Sequence, residues 1–155
     1  MKPPEVVNDI VPHTDNPYPE PFRSSLGHAE WRSLGDSFGL TQFGVNHETL
    51  HPNAQSALRH WHTESDEFVY VVQGRLWLIT DEGEQELIAG MCAGFMAGEP
   101  NGHHLHNRSS KLAVFLVVGS RKEGDAVVYP DDDFQWFRNS DTGRYYAAKK
   151  DGSAY

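Results

Sequence analysis

Two histidines one residue apart stand just before a carboxylate in the segment HWHTESDE, and these residue types can bind a metal ion. Side chains at positions i and i+2 of a strand point to the same face. His60 and His62 would therefore share one side of a strand, with Trp61 on the other. Glu67 follows at the start of the apolar run EFVYVVQ. Imidazoles and a carboxylate suit a divalent transition metal, so this segment predicts part of a metal site.

A second histidine group, GHHLHN at 102–107, could supply a third imidazole. In an extended strand His103 and Asn107 share one face, and His104 and His106 share the other. We therefore expect His103 to turn toward the first histidine group. We expect His104 and His106 to be surface or subunit-contact residues.

The elements that must position these side chains can be read from alternation and turn residues. TQFGVNHETL places Phe43, Val45 and His47 on one side of a strand, a period of two. Further apolar runs follow at spacings of roughly ten residues, and Gly, Asp, Asn and Ser turns separate them. No stretch has a convincing helical period. The pattern is typical of an all-β sandwich or barrel.

The two ends of the chain differ from the middle. Residues 1–21 hold six of the nine prolines, which fix φ and lack an amide donor, so we expect an extended arm that either dangles or lies on a partner subunit. Aromatic runs at 134–137 and 145–146 around NSDTG predict a hairpin packed on the barrel. The chain then has three parts: an arm and lead-in at 1–39, a β-barrel at 40–120, and a C-terminal extension at 121–155.

The spacing of the two histidine groups resembles the cupin family, whose motifs are G(X)5HXH(X)3,4E(X)6G and G(X)5PXG(X)2H(X)3N. The positions that fit the first motif are His60, His62, Glu67 and Gly74, with Ala54 in place of the opening glycine. The positions that fit the second are Gly90, Gly98, His103 and Asn107, with Met96 in place of proline. The loop EPNG before His103 is longer than the motif's two residues.

The resemblance implies both a fold and a site. The fold is an all-β, cupin-type double-stranded β-helix, or jelly-roll barrel, to which this chain adds the Pro-rich arm and the C-terminal hairpin. The implied metal ligands are His60, His62, Glu67 and His103. Asn107 is implied to make hydrogen bonds near a strand end. The longer loop keeps His104 as an alternative ligand, whereas strand parity and the spacing to Asn107 favour His103.

The chain looks like a group of small bacterial cupins whose substrates are generally unassigned, so the resemblance supplies no reaction. Three histidines and a carboxylate leave positions open on a divalent ion, which could be Zn, Fe, Mn or Ni. An iron site could serve a dioxygenase, and the other ions could act as Lewis acids in an isomerase, lyase or decarboxylase. The candidates for a proton carrier, which the sequence does not rank, are His47, Tyr70 and Glu99. His47 could line the barrel, although we expect a core histidine whose hydrogen bonds are satisfied. The alternative is a non-catalytic module that binds a small ligand.

Composition limits the class of partner. The chain has 155 residues, which suits one domain with its own core. The formal net charge is -9 and no Lys/Arg cluster occurs, which argues against nucleic-acid binding. The apolar runs are too short to span a membrane and the N-terminus does not read as a secretory signal, so we expect a cytoplasmic protein. Exposed strand edges and the arm predict a homodimer. The implied metal site predicts a small molecule as substrate or ligand.

Three further features receive structural interpretations. Cys92 is the only cysteine, which excludes an internal disulfide and a Cys-rich zinc site. We expect it to pack as a small apolar residue. We expect Arg59 and Arg75 to be solvated, and the acidic segment PDDDF at 130–134 to form a turn or a solvated loop rather than a second cation site.

Overall fold

The computed structural model describes residues 2–138, 142 and 144–155, and antiparallel strands dominate them. A single 3-10 turn spans Val7–Asp9, and two short helices follow: α1 (Phe22–Leu26) and α2 (Leu34–Ser37). The strands are β1 (Ala29–Ser33), β2 (Phe43–Leu50), β3 (Trp61–His62), β4 (Glu67–Gln73), β5 (Arg75–Thr80), β6 (Gly83–Ile88), β7 (Cys92–Phe95), β8 (His104–His106), β9 (Ala113–Ser120), β10 (Val127–Val128), β11 (Gln135–Arg138) and β12 (Tyr145–Ala148). The all-β prediction is confirmed.

The strands form two main sheets around one core. One sheet has the order β1-β2-β9-β4-β7 and the other has the order β6-β5-β8, and each pairing is antiparallel. The apolar side chains between them come from both sheets: Leu50, Val69, Val71, Leu76, Leu78, Leu87, Leu105 and Phe115. On β4 the buried Val69 alternates with the exposed Phe68 and Tyr70, as the period of a half-buried strand requires. This is the predicted jelly-roll barrel.

Gly74 makes the tight passage from β4 to β5 possible. Its φ is +80°, a left-handed conformation that glycine adopts at little cost. A Cβ atom there would also lie 2.7 Å from the carbonyl oxygen of Leu112. The glycine that ends the first motif is therefore required by both conformation and space.

Asn107 closes the connection between β8 and β9. Its side chain is fully buried, and its amide nitrogen donates to the carbonyl oxygens of Leu50 (2.9 Å) and Lys111 (2.8 Å). Its side-chain oxygen accepts from the amide of Ser109 at 3.0 Å. The hydrogen-bonding role that the resemblance implied is thus a structural one.

The N-terminal arm lies on its own barrel, so of the two alternatives that the sequence left open, the dangling arm is wrong. His13 and Trp31 exchange two backbone hydrogen bonds of 2.8 and 3.0 Å, and their rings stack with centroids 5.3 Å apart. Farther along, Tyr18 packs against Phe134 of the C-terminal extension at 5.2 Å. A second apolar cluster forms where arm and extension meet: Leu26, Leu58, Tyr129 and Phe134. Proline left the arm extended, and these aromatic contacts fix where it lies.

The predicted C-terminal hairpin is present as the antiparallel pair β11 and β12, in the register Gln135↔Ala148 to Arg138↔Tyr145. The NSDTG turn that the sequence placed between them lies, except for Thr142, outside the described residues. Among the described residues, no helix is long and apolar enough to cross a membrane.

Two of the smaller expectations are wrong. Arg59 is not solvated: its guanidinium makes paired hydrogen bonds of 2.5 and 2.6 Å to Asp131, and its side chain is 16% exposed. The partner lies in the segment 130–134, far along the chain, so local sequence could not reveal it. Cys92 is exposed, because strand parity on β7 turns Ala93 toward the core and Cys92 outward.

Candidate metal centre

Backbone pairing brings the two histidine groups side by side. The amide of His60 donates to the carbonyl oxygen of His103 at 3.1 Å, and the amide of His103 donates back at 2.8 Å. The two imidazole centroids are 5.0 Å apart. Two motifs that are distant in the sequence therefore become neighbours on one antiparallel bridge.

His62 and Glu67 complete a compact cluster with His60. One ligand atom from each of the three side chains lies within 4.8 Å of the others. His62 Nε2 is 3.6 Å from a carboxylate oxygen of Glu67, which opens β4 after the loop 63–66 reverses the chain. Groups at these separations suit a single divalent ion.

Hydrogen bonds fix the tautomers of both histidines in the HxH pair. His60 Nδ1 lies 2.8 Å from the carbonyl oxygen of Leu58, which can only accept, so Nδ1 carries the proton. His62 Nδ1 likewise donates to a carboxylate oxygen of Asp125 at 2.7 Å. Each ring therefore keeps a lone pair on Nε2 for an ion, and metal-binding histidines are commonly oriented by such partners. The donor set fits a divalent metal.

His103 lies against this cluster but outside its tightest part. Its ring is 3% exposed and stacks on Phe95 with centroids 3.5 Å apart. His103 Nε2 is 3.2 Å from the second carboxylate oxygen of Glu67, and Nδ1 is buried without a hydrogen-bond partner among the described residues. His103 therefore faces Glu67, as strand parity predicted.

Burial along β8 alternates as the sequence indicated, with His103, Leu105 and Asn107 buried and the histidines between them half-buried. His104 is nevertheless not a surface residue, because its Nδ1 is buried and burial lowers its pKa to about 4. Among the described residues His103, and not His104, makes a hydrogen bond with Glu67. The geometry therefore favours His103 over His104 as the third imidazole.

The cluster's electrostatics suit ligation at neutral pH. Burial lowers the pKa of His60 to about 4, so the ring is neutral and its Nε2 lone pair is available. Burial acts to raise the pKa of Glu67, but the hydrogen bond from His103 and the neighbouring imidazoles outweigh it and lower the pKa. Glu67 is therefore a carboxylate beside the neutral imidazole of His60.

The cluster opens on one side into a cavity of about 370 Å³, which we call the outer pocket. His62, Glu67 and His103 line it together with polar groups from β5, β6 and the loop before His103. Three of its carboxylates are exposed: Glu82, Glu84 and Glu99. A small molecule entering here would meet the candidate ligands directly.

A second cavity of about 210 Å³, the inner cavity, lies on the other side of the cluster. His60, Glu67 and His103 line it, together with Glu48 of β2. The Glu48 side chain has no hydrogen-bond or ion-pair partner among the described residues. Burial raises its pKa to about 8, and the charge of Glu67 adds to the effect. Glu48 also lines a pocket beneath the arm, so it lies between the cluster and a route to solvent.

Sequence reasoning missed both Glu48 and Asp125. A signal for Glu48 existed, because it shares its strand face with the buried Leu50, two residues on. The sequence interpretation considered that His47 could line the barrel, but neighbouring strand residues face opposite ways. Asp125 carried no signal, since it meets His62 only after the extension folds back.

The suggested proton carriers lie in different places. Tyr70 is 40% exposed on the side of β4 that faces away from the core, and His47 lines neither the outer pocket nor the inner cavity. Glu99 lines the outer pocket. Of the three, only Glu99 is placed to meet a molecule at the cluster.

A jelly-roll barrel with histidines and a glutamate on its inner wall defines this chain as a β-barrel protein with a candidate metal site. The cupin domain family matches residues 46–119, which include both motifs. A sugar phosphate isomerase of the cupin superfamily from Silicibacter pomeroyi is 40% identical, covers 99% of this chain and 96% of its own, and superposes with a TM-score of 0.89. The chain belongs to the cupin superfamily.

Other solved structures are similar at lower identity. A candidate sugar phosphate isomerase from Acidithiobacillus ferrooxidans is 28% identical, with a TM-score of 0.70 over 79% of this chain and 77% of its own. The polyketide cyclase RemF from Streptomyces resistomycificus is 22% identical, with a TM-score of 0.67 over 84% of this chain and 86% of its own, and shares the fold. Among curated proteins, none matches the chain significantly.

Proposed function

We propose that this cupin is a metal-dependent enzyme that isomerises a small hydroxylated carbonyl compound. The proposed ligands are His60, His62, Glu67 and His103. The observation that carries the proposal is the three-residue cluster within 4.8 Å, in which both HxH rings keep Nε2 free and which opens into the outer pocket. A bound divalent ion would polarise a carbonyl as a Lewis acid.

Isomerase chemistry is preferred among the possible reactions for a specific reason. The Silicibacter pomeroyi protein, which is similar over almost the whole chain, is named an isomerase. Moving a carbonyl to the neighbouring carbon through an enediol takes a proton from one carbon and returns one to the other, and it shifts a second proton between the two oxygens. The cavities offer two carboxyl groups for this purpose, Glu99 in the outer pocket and Glu48 in the inner cavity.

The other residues of the site would orient the imidazole ligands or hold a proton. Asp125 accepts a hydrogen bond from His62 Nδ1, which holds the proton on that nitrogen and leaves Nε2 to face the ion. In the metal-free protein Glu48 is protonated at neutral pH because burial raises its pKa, so it would hold a proton next to the cluster and exchange it through the pocket beneath the arm. Phe95 keeps the His103 ring in one plane by stacking.

The test is solvent exchange in protein purified without an affinity tag. Aldoses and ketoses, free and phosphorylated, would be incubated in D₂O with protein loaded with Zn²⁺, Mn²⁺, Ni²⁺ or Fe²⁺ and followed by proton NMR. We expect deuterium to enter next to the carbonyl of at least one compound, and a chelator to stop it. Metal-dependent binding without exchange across the panel would indicate a ligand-binding module instead.

The functional unit is proposed to extend beyond the matched residues 46–119. The arm (1–39) and the extension (121–155) are proposed to pack on the barrel (40–120) as parts of one site, because Asp125 and Tyr129 both contact the first motif. A chain ending at Ser120 should therefore bind Zn²⁺ more weakly than the full chain.

We also propose a homodimer, on different grounds from the arm. The outward face of β4 carries Phe68, Tyr70 and Val72, which are 42%, 40% and 45% exposed. A row of apolar side chains on a sheet face is typical of a protein interface. Light scattering should give twice the 17.5 kDa mass of one chain, and Tyr70→Glu should reduce it.

A further inference from the structure

We infer that the outer pocket accepts a hydroxylated molecule of zero or positive charge and rejects its phosphate ester; this rests on the metal-dependent function proposed above. The charge of the pocket walls carries the inference. The lining carboxylates are Glu67, Glu82, Glu84 and Glu99. Among the described residues, no lysine or arginine lines the pocket.

Two guanidinium groups beside these walls are already paired. Arg108 makes two hydrogen bonds of 2.6 Å to Glu84. Arg59, which also reaches the carbonyl oxygen of Gly102 at 3.3 Å, makes two to Asp131 at 2.5 and 2.6 Å. A carboxylate held by two parallel hydrogen bonds occupies the same guanidinium N–H groups that a phosphate would bind. A phosphate would therefore have to displace a carboxylate.

Helix N-termini, the other common phosphate site, are also missing from the pocket. Neither α1 nor α2 contributes a residue to its lining, and they have only five and four residues. The phosphate of a sugar whose carbonyl end lies at the cluster would instead face the exposed carboxylates Glu82 and Glu99. Two negative groups at such short range repel each other.

The same walls suit hydroxyl groups. The carboxylates accept hydrogen bonds, and Gln85 can both donate and accept. The Thr80 hydroxyl already donates to the carbonyl oxygen of Gly83 at 3.3 Å, so it offers a ligand only an acceptor. The side-chain oxygen of Asn101 already accepts from the amide of Asp81 at 2.9 Å, which leaves its amide hydrogens for a ligand. A volume of about 370 Å³ suits a compact small molecule.

The test compares D-arabinonohydroxamate with its 5-phosphate ester, because a hydroxamate chelates divalent ions whether or not the sugar chain is phosphorylated. Binding to Zn²⁺-loaded protein would be measured by calorimetry at pH 7.5 and low salt. We expect the unphosphorylated compound to bind at least about tenfold tighter, and the ratio to shrink in 0.5 M salt as charges are screened. Equal binding, or tighter binding of the ester, would overturn the inference and leave the metal site standing.

Failure of the proposed function would look different. Neither compound would then bind Zn²⁺-loaded protein better than metal-free protein, which would refute both proposals together. The charge argument has its own control. Glu82→Gln with Glu99→Gln should narrow the ratio severalfold, whereas Glu86→Gln with Glu123→Gln, two exposed carboxylates outside the pocket lining, should leave it unchanged. Equal narrowing by both pairs would assign the effect to net charge and overturn the inference.

Discussion

The outer pocket and the inner cavity meet at the same cluster, yet they shift the pKa of a glutamate in opposite directions. Glu67 and His103 line both, whereas His62 lines only the outer pocket and His60 only the inner cavity. In the outer pocket Glu84 is exposed, and its hydrogen bond with Arg108 lowers its pKa. In the inner cavity Glu48 has no partner among the described residues, and burial raises its pKa to about 8.

The difference shows what access to water and to a counter-charge does to one side-chain type. An exposed glutamate beside an arginine stays ionised and shapes which ligands can enter. An enclosed glutamate without a counter-charge stays protonated and can hold a proton near the cluster. We therefore expect the outer pocket to select the ligand and the inner cavity to hold a proton.

The largest expected effect tests whether the cluster really separates the two sides. His62→Ala removes an imidazole on the outer side, and His60→Ala removes one on the inner side. Each should weaken Zn²⁺ binding by about a thousandfold or more, because loss of a residue that only orients a ligand already costs about 10–100-fold. Competition with a chromogenic chelator measures the affinity.

His106→Ala is the matched control for these variants. His106 lies on the other face of β8 and lines neither cavity, so its loss should leave the affinity unchanged. If His60→Ala kept wild-type affinity while His62→Ala lost it, the ion would belong to the outer pocket alone.

The next effect tests the protonated state of Glu48. Its pKa is raised from 4.5 to about 8 on folding, so its contribution to stability is complete below pH 4.5 and is lost as the pH rises to 8. Glu48→Gln should therefore match the wild type near pH 4.5 and exceed it by about 2–4 kcal/mol above pH 8, allowing for water in the cavity. Denaturant unfolding at several pH values measures this difference.

A pH-independent difference between the two proteins would mean that Glu48 is ionised in the folded state. The comparison between the two cavities would then fail, because both would hold carboxylates. Glu123→Gln, at an exposed position, provides the charge-matched control and should show no such pH-dependent gain.

A smaller effect tests how the C-terminal extension orients His62 in the outer pocket. Asp125→Ala should lower Zn²⁺ affinity by about 10–100-fold, because His62 loses the partner that fixes its tautomer. Nitrogen NMR of the His62 ring should show the Nδ1 proton shared between the two nitrogens. Thr63→Val removes a hydroxyl that accepts from the amide of Ala126 and donates to the other carboxylate oxygen of Asp125. It leaves the Asp125 oxygen that accepts from His62, so the tautomer should be unchanged. Loss of affinity with an unaltered tautomer would point to loop collapse instead.

Much of the fold could be predicted from the sequence because its signals are local. Alternation along β4 and the glycine at 74 follow from strand geometry and from a left-handed backbone that other residues avoid. The position of the arm could not be predicted, since it depends on contacts such as Tyr18 with Phe134, across more than a hundred residues. Arg59 was misjudged for the same reason, because its partner Asp131 arrives only with the folded extension.

The candidate site divides in the same way. Parity placed His60, His62 and His103 on faces that can converge, and spacing placed Glu67 at the start of the next strand, although their role as ligands stays a prediction. Asp125 was invisible because it reaches His62 through tertiary structure alone. Glu48 could have been predicted, because it shares a strand face with the buried Leu50. It was missed because its neighbour His47 was considered as the residue that could line the barrel.

The smallest expected effect completes the contrast between the two glutamates. Glu84→Gln removes an exposed carboxylate and its ion pair with Arg108, both of which lie in water at the mouth of the outer pocket. Exposed ion pairs contribute little to stability because solvent screens them, so the melting temperature should shift by less than about 2 °C at any pH from 4.5 to 9. Scanning calorimetry beside Glu48→Gln makes the comparison direct. A pH-dependent stabilisation of Glu84→Gln as large as that of Glu48→Gln would mean that burial does not distinguish the two sides of the barrel.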